Sequence, residues 1–552
     1  MLRSCAVHAS AAAAAAAAAG FLYNHRAAAD AGPAATSAYA SSQKSFTAAQ
    51  VAEHCLVDDL WVSIDGNVHD LSGFAAKHPG GVDRLMMAAG GDASYFVAYW
   101  GVHTQSAAFG DTLKDTFIGV LSTSTGAGAS VADHVQELYH SETQPKRDPQ
   151  LLRPPSNNMR RVPFTGEPRG LFPHTQNTPN DSFYVRNHAP VPTGLPRSVR
   201  LLLDNEGCGD VADNDDRDGI GDDVDTELGL DAMEAKYGTT ALSAAIQCAG
   251  NRLDERGRLG DCMFDPSRMG GKGWLGNAVW EGVLLSDVLR ENLPQATVAA
   301  AAAAAASGDE DEDEDGWHVV FTGADGYETS VPLKFVFGAP FLLATKMNGE
   351  LLPEDHGAPV RLLAPGFIGA RNVKWISQIR VCKTPSQSPW QRRFYTEDES
   401  SKPLMWWPVQ SIITSHNHDS ECSVSDLSKG DSVLVTGLGY SGKGRVVRRV
   451  EVSGDRGDSW QDATLTGEQE SPYSFRLWQT HLPLSRVNVQ QQQSRQYIEL
   501  WCRATDSSSE TQPLDPTTPG PFRESGYLFN PVQKIKINLL SQGSSSDEVA
   551  TT

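Results

Sequence analysis

A chain of 552 residues is too long to fold around one hydrophobic core. Domains commonly hold roughly 100 to 200 residues, so three or four folded units are expected. Boundaries between them should lie where the composition shifts to small and polar residues. The stretch from Ser122 to Ser130 contains only Ser, Thr, Gly and Ala, which predicts a flexible linker.

The segments on either side of this linker differ in pattern. Residues 44–122 mix helix and strand signals, with Phe46 to Gln50 typical of a helix start and Leu60 to Ile64 of a short strand. Apolar runs broken by Gly and Pro in residues 151–405 indicate a mixed α+β domain. Alternating polar and apolar residues in 406–541 indicate an all-β sandwich. The remaining segments are predicted to be a presequence (1–43), the linker (123–150) and a loose tail (542–552).

The first 43 residues are typical of an organellar presequence. They contain Arg3 and an alanine run from Ala11 to Ala19, and no acidic residue precedes Asp30. We predict a cleaved mitochondrial presequence, with a secretory or plastid signal, or a functionless alanine expansion, as alternatives. His8 and Ser10 interrupt the weakly apolar run, so no stable membrane span is expected.

Charge and cysteine usage limit the partners. The chain has 68 acidic and 46 basic residues and a formal net charge of -22, which disfavours nucleic acid and favours a basic protein or a cation. Its 8 cysteines are scattered and none pair at the spacing of a zinc knuckle, which argues against a disulfide scaffold. A cysteine with a special role would therefore act singly.

Two stretches of the middle domain have the composition of inserts, near residues 204–225 and 298–316. The second joins the alanine run Ala299–Ala306 to the consecutive acids Asp309–Asp315, and neither stretch is expected to build a core. Residues Asn214–Asp225 imitate a calcium loop but end in Asp, where a bidentate Glu is wanted. A solvated acidic loop is the alternative.

His78 begins the first chemical motif, His-Pro-Gly-Gly. A stiff proline and two glycines allow the imidazole ring to approach a flat ligand without steric blocking. With His103, it could fill both axial positions of a haem iron. The alternative is a histidine that caps a turn and another that belongs to the core.

Cys248 lies in the second motif, Gln247–Arg252, directly after the apolar run Ala241–Ile246. A thiolate at the end of a strand is a soft metal ligand, and the small Ala249 and Gly250 would let a large cofactor approach the backbone. A buried structural thiol is the alternative.

Residues 44–122 resemble the cytochrome b5 family, on the stretch Trp61–Leu71, Phe74 and the His78 motif. This resemblance implies an α+β domain with a b-type haem held by His78 and His103.

From Leu151 to the end of the sandwich, the chain resembles the sulfite oxidase family. The motifs are Phe183–His188, Gln247–Arg252, Asp355–Arg361 and Gly369–Trp375. The resemblance implies a molybdopterin-binding domain of the sulfite oxidase fold, followed by an immunoglobulin-like dimerisation domain.

Carried over position by position, the resemblance makes Cys248 the thiolate ligand of molybdenum and gives Arg186, Arg252 and Tyr395 catalytic roles. It assigns the pterin and its phosphate to Tyr184, Val185, Arg186, Asn187, His188, Asp325, His356, Arg361, Asn372, Val373 and Lys374.

One departure from the family concerns the substrate-binding cations. The family has two arginines after Cys-Ala-Gly-Asn, whereas here Leu253 follows Arg252. Candidates for the missing cation are Lys272, Arg256 and Arg258. Arg523 lies about two positions from where the family has a further pocket arginine.

The resemblance implies oxidation of sulfite to sulfate, with electrons passed singly through the haem to cytochrome c. A homodimer, and the mitochondrial intermembrane space, are expected. One alternative is a molybdoenzyme like nitrate reductase, a family that has its cytochrome domain after the molybdenum domain and adds a flavin module. The other is a non-catalytic haem carrier with a decayed molybdenum domain, which Leu253 favours.

The linker generates a first prediction. If its flexibility brings haem and molybdenum together, replacing residues 123–130 with a stiff proline-rich segment should slow internal electron transfer and leave sulfite binding unchanged. Rapid-mixing kinetics of haem reduction by sulfite measures both. Unchanged haem reduction in the stiffened protein would contradict the prediction.

Overall fold

The computed structural model has two compact units, residues 1–132 and 133–552. The presequence, the linker, residues 205–224, the acidic run and the tail lie outside the residues that the structure describes. Those are residues 44–47, 50–51, 54–56, 58–79, 85, 88–91, 93, 97, 107–122, 151–152, 165–168, 176–187, 191–192, 194–204, 225–258, 272–307, 316–388, 390–397, 402–423, 427–429, 431–467, 470–492, 495–514 and 527–540.

The first unit contains a sheet with the strand order β1-β5-β4-β3-β2. Its core includes Leu60, Val62 and Ile64, which alternate along one strand and pack with Leu71 and Ala75. The elements are β1 (Ser45–Phe46), β2 (Cys55–Leu56), β3 (Asp59–Ile64), β4 (Asn67–Asp70), a 3-10 turn (Ala75–Lys77), α1 (Ala107–Thr116) and β5 (Phe117–Leu121). The predicted α+β class is confirmed.

The helix start predicted at Phe46–Gln50 has the hydrogen bonds of a capping box. The backbone N–H of Gln50 donates to Oγ1 of Thr47 at 3.1 Å, and the N–H of Thr47 donates to Oε1 of Gln50 at 2.9 Å. Two backbone donors that have no partner within the helix are thereby satisfied.

The middle part of the second unit combines helices with three sheets. This agrees with the mixed α+β domain predicted for residues 151–405. Its elements are β6 (Leu151–Leu152), β7 (Thr165–Pro168), β8 (Val185–Arg186), β9 (Ser198–Leu203), β10 (Asp225–Gly229), α2 (Leu230–Tyr237), β11 (Thr240–Gln247), α3 (Leu253–Arg258), β12 (Leu275–Leu284), α4 (Leu285–Asn292), α5 (Gln295–Ser307), β13 (His318–Gly323), β14 (Glu328–Pro332), α6 (Leu333–Gly338), β15 (Leu342–Met347), β16 (Glu350–Leu351), β17 (Arg361–Leu363) and β18 (Ile376–Cys382). Single turns lie at Glu354–His356, Gly369–Arg371 and Trp390–Phe394.

The sheet orders explain how distant motifs meet. One sheet runs β10-β9-β18-β13-β14, a second runs β11-β12-β15-β16 with β17 paired to β15, and a third runs β6-β7-β8. The first two sheets and the helices contribute to one large core that includes Leu201, Val288, Phe321, Leu343 and Val381. Two strands of the second sheet, β11 and β17, therefore carry the motifs that begin at Gln247 and Asp355, with β12 and β15 between them.

The last part of the chain is the predicted β-sandwich. One sheet runs β19-β22-β26-β25 with β21 paired to β22, and the other runs β20-β29-β28-β23-β24 with β27 paired to β28. Both sheets bury residues in one core, among them Val435, Trp478, Val450 and Leu500. The strands are β19 (Gln410–Ile413), β20 (Ser420–Cys422), β21 (Ser428–Lys429), β22 (Ser432–Tyr440), β23 (Val447–Ser453), β24 (Gln461–Asp462), β25 (Thr464–Thr466), β26 (Arg476–Pro483), β27 (Val489–Gln492), β28 (Arg495–Asp506) and β29 (Gln533–Leu539).

The alanine run differs from expectation. It forms most of α5, where Val298 and Ala301 are buried in the core of the middle domain. Alanine is the best helix former, and its small side chain lets α5 approach α6 closely. A Cβ at Gly338 would lie 3.6 Å from the Cβ of Ala305. The expectation that this run contributes nothing to a core was wrong.

Within the described ranges, no helix has both the length and the apolar character needed to cross a membrane.

A glycine in the second sheet generates the next prediction. Gly282 lies at a bulge between β12 and β15, where a Cβ would come within 2.6 Å of the Ala344 Cα. Because these are backbone atoms that cannot rotate away, Gly282→Ala should lower the free energy of unfolding by about 1–3 kcal/mol. Urea unfolding measures the change. Gly229→Ala is the matched control, since its nearest neighbour would be 4.0 Å away, and equal stability of the two variants would contradict the prediction.

Candidate active site

A cavity lies in the second unit, bordered by the ends of β8, β11 and β17. Its lining residues are Phe183, Tyr184, Arg186, Asn187, Ile246, Cys248, Ala249, Asp325, Tyr327, His356, Arg361, Gly369, Ala370, Asn372, Val373, Lys374, Trp375 and Tyr395. Of the site residues predicted for the molybdenum domain and described in the structure, all but Val185 and Arg252 line this cavity. Four separate sequence motifs therefore meet at one place.

Cys248 is the first residue after β11. Its backbone N–H donates to the carbonyl of Trp274 at 2.9 Å, and its own carbonyl accepts from the N–H of Asn251 at 3.0 Å. Asn251 also accepts from the N–H of Trp274 through its side-chain oxygen at 3.0 Å. These bonds hold the Cys248 loop, residues 248–252, in a tight turn whose thiol faces the cavity.

Arg186 supplies positive charge near this thiol. Burial raises the pKa of Cys248 above its usual value, and the charge of Arg186 acts in the opposite direction. The same pattern holds for Tyr395 and Tyr527, whose pKa values burial raises and Arg186 lowers. One cation is therefore close to a thiol and two phenols.

Two further cations border the cavity. The Arg361 guanidinium donates to the carbonyl of His356 at 2.9 Å and to that of Asn372 at 3.3 Å, and it lies over the Trp280 ring at 4.8 Å. Its Nε is buried and makes no hydrogen bond with any residue that the structure describes. Burial lowers the pKa of Arg361 to about 10. The charge is thus poorly compensated by its own surroundings.

Lys374 lies beside Asp355 and Asn187. Its Nζ donates to the Asp355 carbonyl at 2.8 Å and to the Asn187 side-chain oxygen. The Asn187 amide donates in turn to Oδ1 of Asp355 at 2.8 Å. This network fixes the ammonium group on the same cavity as Arg361.

His356 is buried and uncharged at neutral pH. Burial, helped by the charges of Lys374 and Arg361, lowers its pKa to about 3. Its Nε2 lies 3.0 Å from the carbonyl of Asn180, which a neutral ring can satisfy as donor. The next residue, Gly357, has a φ of +111°, and a Cβ there would lie 3.0 Å from the Cβ of Arg361. Only glycine fits this turn.

Asp325 and Asn372 act mainly on the backbone. Burial raises the pKa of Asp325 to about 6, and its Oδ1 accepts from the N–H of Tyr327 at 3.1 Å. The Asn372 side chain accepts from the N–H of Ala364 at 2.8 Å and donates to the carbonyl of Ile368 at 3.0 Å. These two residues shape the loops that carry the cavity's charged groups.

Aromatic rings cover one side of the cavity. The Tyr395 and Tyr527 rings stack with centroids 5.5 Å apart, and the Tyr327 hydroxyl donates to the carbonyl of Ala370 at 2.9 Å. Burial raises the pKa of Tyr527 to about 12. Sequence analysis missed Tyr327, which lines the cavity, and Tyr527, which stacks on Tyr395, because both are brought there by contacts between residues far apart in the chain.

Arg252 does not reach the cavity. Its guanidinium is fully buried and pairs with Glu255 at 2.7 Å. Among the cations considered to replace Leu253, Lys272 donates to the carbonyls of Ile413 and His416, each at 2.7 Å. Leu253 itself is buried. His188, Arg523 and the Arg258 side chain lie outside the described residues, and Arg256 does not line the cavity.

The first unit contributes the haem motif. His78 follows the turn Ala75–Lys77, where its N–H donates to the Ala75 carbonyl at 3.4 Å. Its ring meets that of Phe74 edge-on, with centroids 5.9 Å apart. His103 lies outside the described residues.

The cavity fits a large anionic cofactor that carries a soft metal. It holds a thiol, and the buried Nε of Arg361 is a donor without a partner among the described groups. A Cβ at Gly369 would lie 2.7 Å from the carbonyl oxygen of Gln247 and 2.9 Å from the Tyr184 hydroxyl, so only glycine lets this turn pack against both at the edge of the cavity. Arg361 and Lys374 suit a phosphate.

Comparison with known families divides the chain into three parts. Residues 219–390 match the oxidoreductase molybdopterin binding domain, residues 401–538 match the Mo-co oxidoreductase dimerisation domain, and residues 47–122 match the cytochrome b5-like heme/steroid binding domain.

Relatives match over most of the chain. A mitochondrial sulfite oxidase of Drosophila melanogaster is 32% identical over 522 residues, which cover 90% of this chain and 81% of the relative. The mitochondrial sulfite oxidase of Homo sapiens is 32% identical, with 85% and 80% covered. The crystal structure of the sulfane dehydrogenase SoxCD from Paracoccus pantotrophus has a TM-score of 0.50 at 21% identity and covers 74% of this chain and 92% of that one. The last likeness concerns the fold alone.

Buried His356 generates a prediction about pH. Its pKa is about 3 in the folded protein, and an unfolded histidine binds a proton below about pH 6.5. The free energy of unfolding should therefore fall by about 1.4 kcal/mol per pH unit as this residue titrates below pH 6.5. Relative to wild type, the free energy of unfolding of His356→Gln should rise by about 1.4 kcal/mol as the pH falls from about 6 to 5.

Urea unfolding of cofactor-free protein over a pH series measures the gain. Asp325→Asn is the control with the opposite sign, because the folded carboxyl keeps its proton up to about pH 6. By itself, protonation of Asp325 therefore stabilises the wild type as the pH falls from about 6 to 4 and opposes the contribution of His356, so the Asn variant should lose stability relative to wild type. Parallel curves for all three proteins would refute this account.

Proposed function

The chain belongs to the sulfite oxidase family, and from this we propose that it oxidises sulfite to sulfate and passes the electrons singly through a b-type haem to cytochrome c. The family is one of molybdenum-dependent oxidoreductases with a molybdopterin cofactor. The single observation that carries the proposal is that Cys248, Arg186, Arg361 and Lys374 border one cavity.

The residues suggest how the chain would hold the cofactor. Cys248 would supply the thiolate to the metal, and Arg361 and Lys374 would bind the phosphate of the pterin. Because His356 is neutral, it adds no further positive charge that would repel Arg361 and Lys374. This supports the role of these two cations in binding the phosphate. When bound, the cofactor supplies the two-electron oxidation of the substrate.

Arg186 is our candidate for substrate binding. Sulfite is a small dianion, so a cation fixed beside the metal would collect it and orient it. The neighbouring Tyr395 is protonated at neutral pH, because the ordinary pKa of a phenol is about 10 and burial raises it further. Tyr395 can then donate a hydrogen bond to the anion. The buried ring of Tyr395, stacked on Tyr527, would keep this donor in place.

Electron transfer would proceed through the first unit. His78 and His103 would hold the iron on both faces, which leaves no position for substrate. A net charge of -22 favours a basic acceptor such as cytochrome c, in a salt-dependent way. Mitochondrial relatives support a mitochondrial location, for which we favour the intermembrane space. The dimerisation domain supports a homodimer.

Two other functions are less well supported. A nitrate reductase-like enzyme would have its cytochrome domain after the molybdenum domain, whereas here the cytochrome match comes first. A decayed, non-catalytic domain would not need to retain the thiol and the cations of the cavity. Leu253 remains the feature that favours decay, because it removes one family arginine.

Steady-state assays separate these candidates. Protein loaded with both cofactors should reduce cytochrome c with sulfite as donor, and should not reduce nitrate. Turnover with nitrate and not with sulfite would favour the nitrate reductase-like enzyme. Turnover with neither substrate would favour the non-catalytic haem carrier.

The thiol gives the sharpest variant. Cys248→Ser replaces a soft sulfur ligand by a hard oxygen, so sulfite turnover should fall by at least about two orders of magnitude while the haem remains bound. Metal analysis and haem absorbance accompany the assay. Cys422→Ser, in β20 of the sandwich, is the matched control and should retain activity. Full activity in the Cys248 variant, or wild-type protein with haem iron and no molybdenum, would end the proposal.

A further inference from the structure

A segment of the C-terminal domain, Leu528–Gln533, lies along the Cys248 loop. The backbone N–H of Leu528 donates to the carbonyl of Ala249 at 2.8 Å. Three residues further along the loop, Arg252 Nη2 donates to the carbonyl of Pro531 at 2.9 Å. The loop that carries the thiol is therefore attached to the C-terminal domain at two points.

The second attachment is built on a buried ion pair. Arg252 meets Glu255 through two parallel hydrogen bonds, from Nε at 2.9 Å and from Nη2 at 2.7 Å. Arg252 has no exposed surface and Glu255 is 9% exposed. A charged pair so far from water persists only where further hydrogen bonds compensate the lost solvation.

Those further bonds come from the C-terminal domain. Arg252 Nη1 donates to Gln410 Oε1 at 3.3 Å, and Gln533 Nε2 donates to Glu255 Oε1 at 3.0 Å. The Gln533 oxygen accepts from the N–H of Ile413 at 2.6 Å. The Phe529 ring lies over the guanidinium at 5.3 Å. Each charge is thus satisfied by groups from β19, β29 and the segment before β29.

The backbone of Arg252 indicates that this arrangement holds the loop under strain. Its φ is +66°, a left-handed conformation that a residue with a side chain adopts only when the surroundings require it. The guanidinium does not border the cavity, so Arg252 cannot contact the substrate. Its effect on the thiol must act through the loop.

We propose that the Arg252–Glu255 pair is a positioning element that fixes the Cys248 loop against the C-terminal domain and thereby orients the Cys248 side chain. The relevance to catalysis rests on the proposed role of Cys248 as metal ligand. Through this pair, the packing of the C-terminal domain determines the geometry of the cavity. Tyr527, next to the attached segment, brings the same domain to Tyr395.

The test replaces both charges together. Arg252→Met combined with Glu255→Leu removes the links to Pro531, Gln410 and Gln533 without leaving an uncompensated buried charge, so the protein should fold. The matched control is Arg197→Gln with Asp231→Asn, an exposed ion pair of the same 2.7 Å length in the same unit. Thermal unfolding establishes that each protein is folded.

The first readout is the rate at which iodoacetamide alkylates Cys248 in cofactor-free protein, measured by peptide mapping. We expect the double variant to react at least about tenfold faster, because the loop opens more readily once detached. The second readout is the electron paramagnetic resonance spectrum of reduced, molybdenum-loaded protein, which should shift. A folded double variant with the wild-type rate and spectrum would overturn the proposal, since a merely structural pair predicts that result.

Two safeguards keep the outcome decisive. If the double variant does not fold, Gln410→Met removes one neutral acceptor of Arg252 and should change the alkylation rate in the same direction, and no change there also overturns the proposal. The alkylation assay needs neither molybdenum nor sulfite. Wild-type protein that takes up no molybdenum would therefore refute the proposed function while leaving the positioning test intact.

Discussion

Antiparallel pairing of β11 with β12 sets Gln247 opposite Leu275, and this register determines where the chain leaves the sheet at Cys248. Gly276, one position along β12, has no side chain because a Cβ would lie 2.5 Å from the Phe183 ring. Phe183 in turn precedes the segment that carries Tyr184 and Arg186. The thiol and the cation nearest to it thus depend on one strand pair and on the close packing that a glycine permits.

Burial sets the electrostatics of the cavity. Removing Arg361 and His356 from water lowers the pKa of both, but only the histidine loses its charge at neutral pH. Burial also raises the pKa of the Tyr395 phenol further above neutral pH. The result is a small space where fixed cations and neutral donors face an anion. Such charges act strongly because water does not screen them.

Sequence patterns predicted what is local. The apolar run Ala241–Ile246 indicated β11, alternation in residues 406–541 indicated the sandwich, and the motif around Cys248 indicated a thiol at the end of a strand. The patterns failed where the outcome depends on distant partners. Nothing near Arg252 in the sequence indicates that Gln410 and Pro531 would enclose its guanidinium. Composition alone also misjudged α5, because a helix of alanines becomes part of a core once larger apolar residues such as Leu333 and Val336 of α6 belong to the same core.

The parallel pairing of β9 with β18 places Arg200 beside Gln378. A contact between residues so far apart along the chain forms late, since a long loop must close before any hydrogen bond is gained. Arg186 lies before β9 and Lys374 just before β18, so these two residues of the cavity come together only when this closure occurs. During synthesis on the ribosome, a nascent chain that stops before β18 has no complete cavity to offer. Cofactor insertion must therefore follow translation of the whole middle domain.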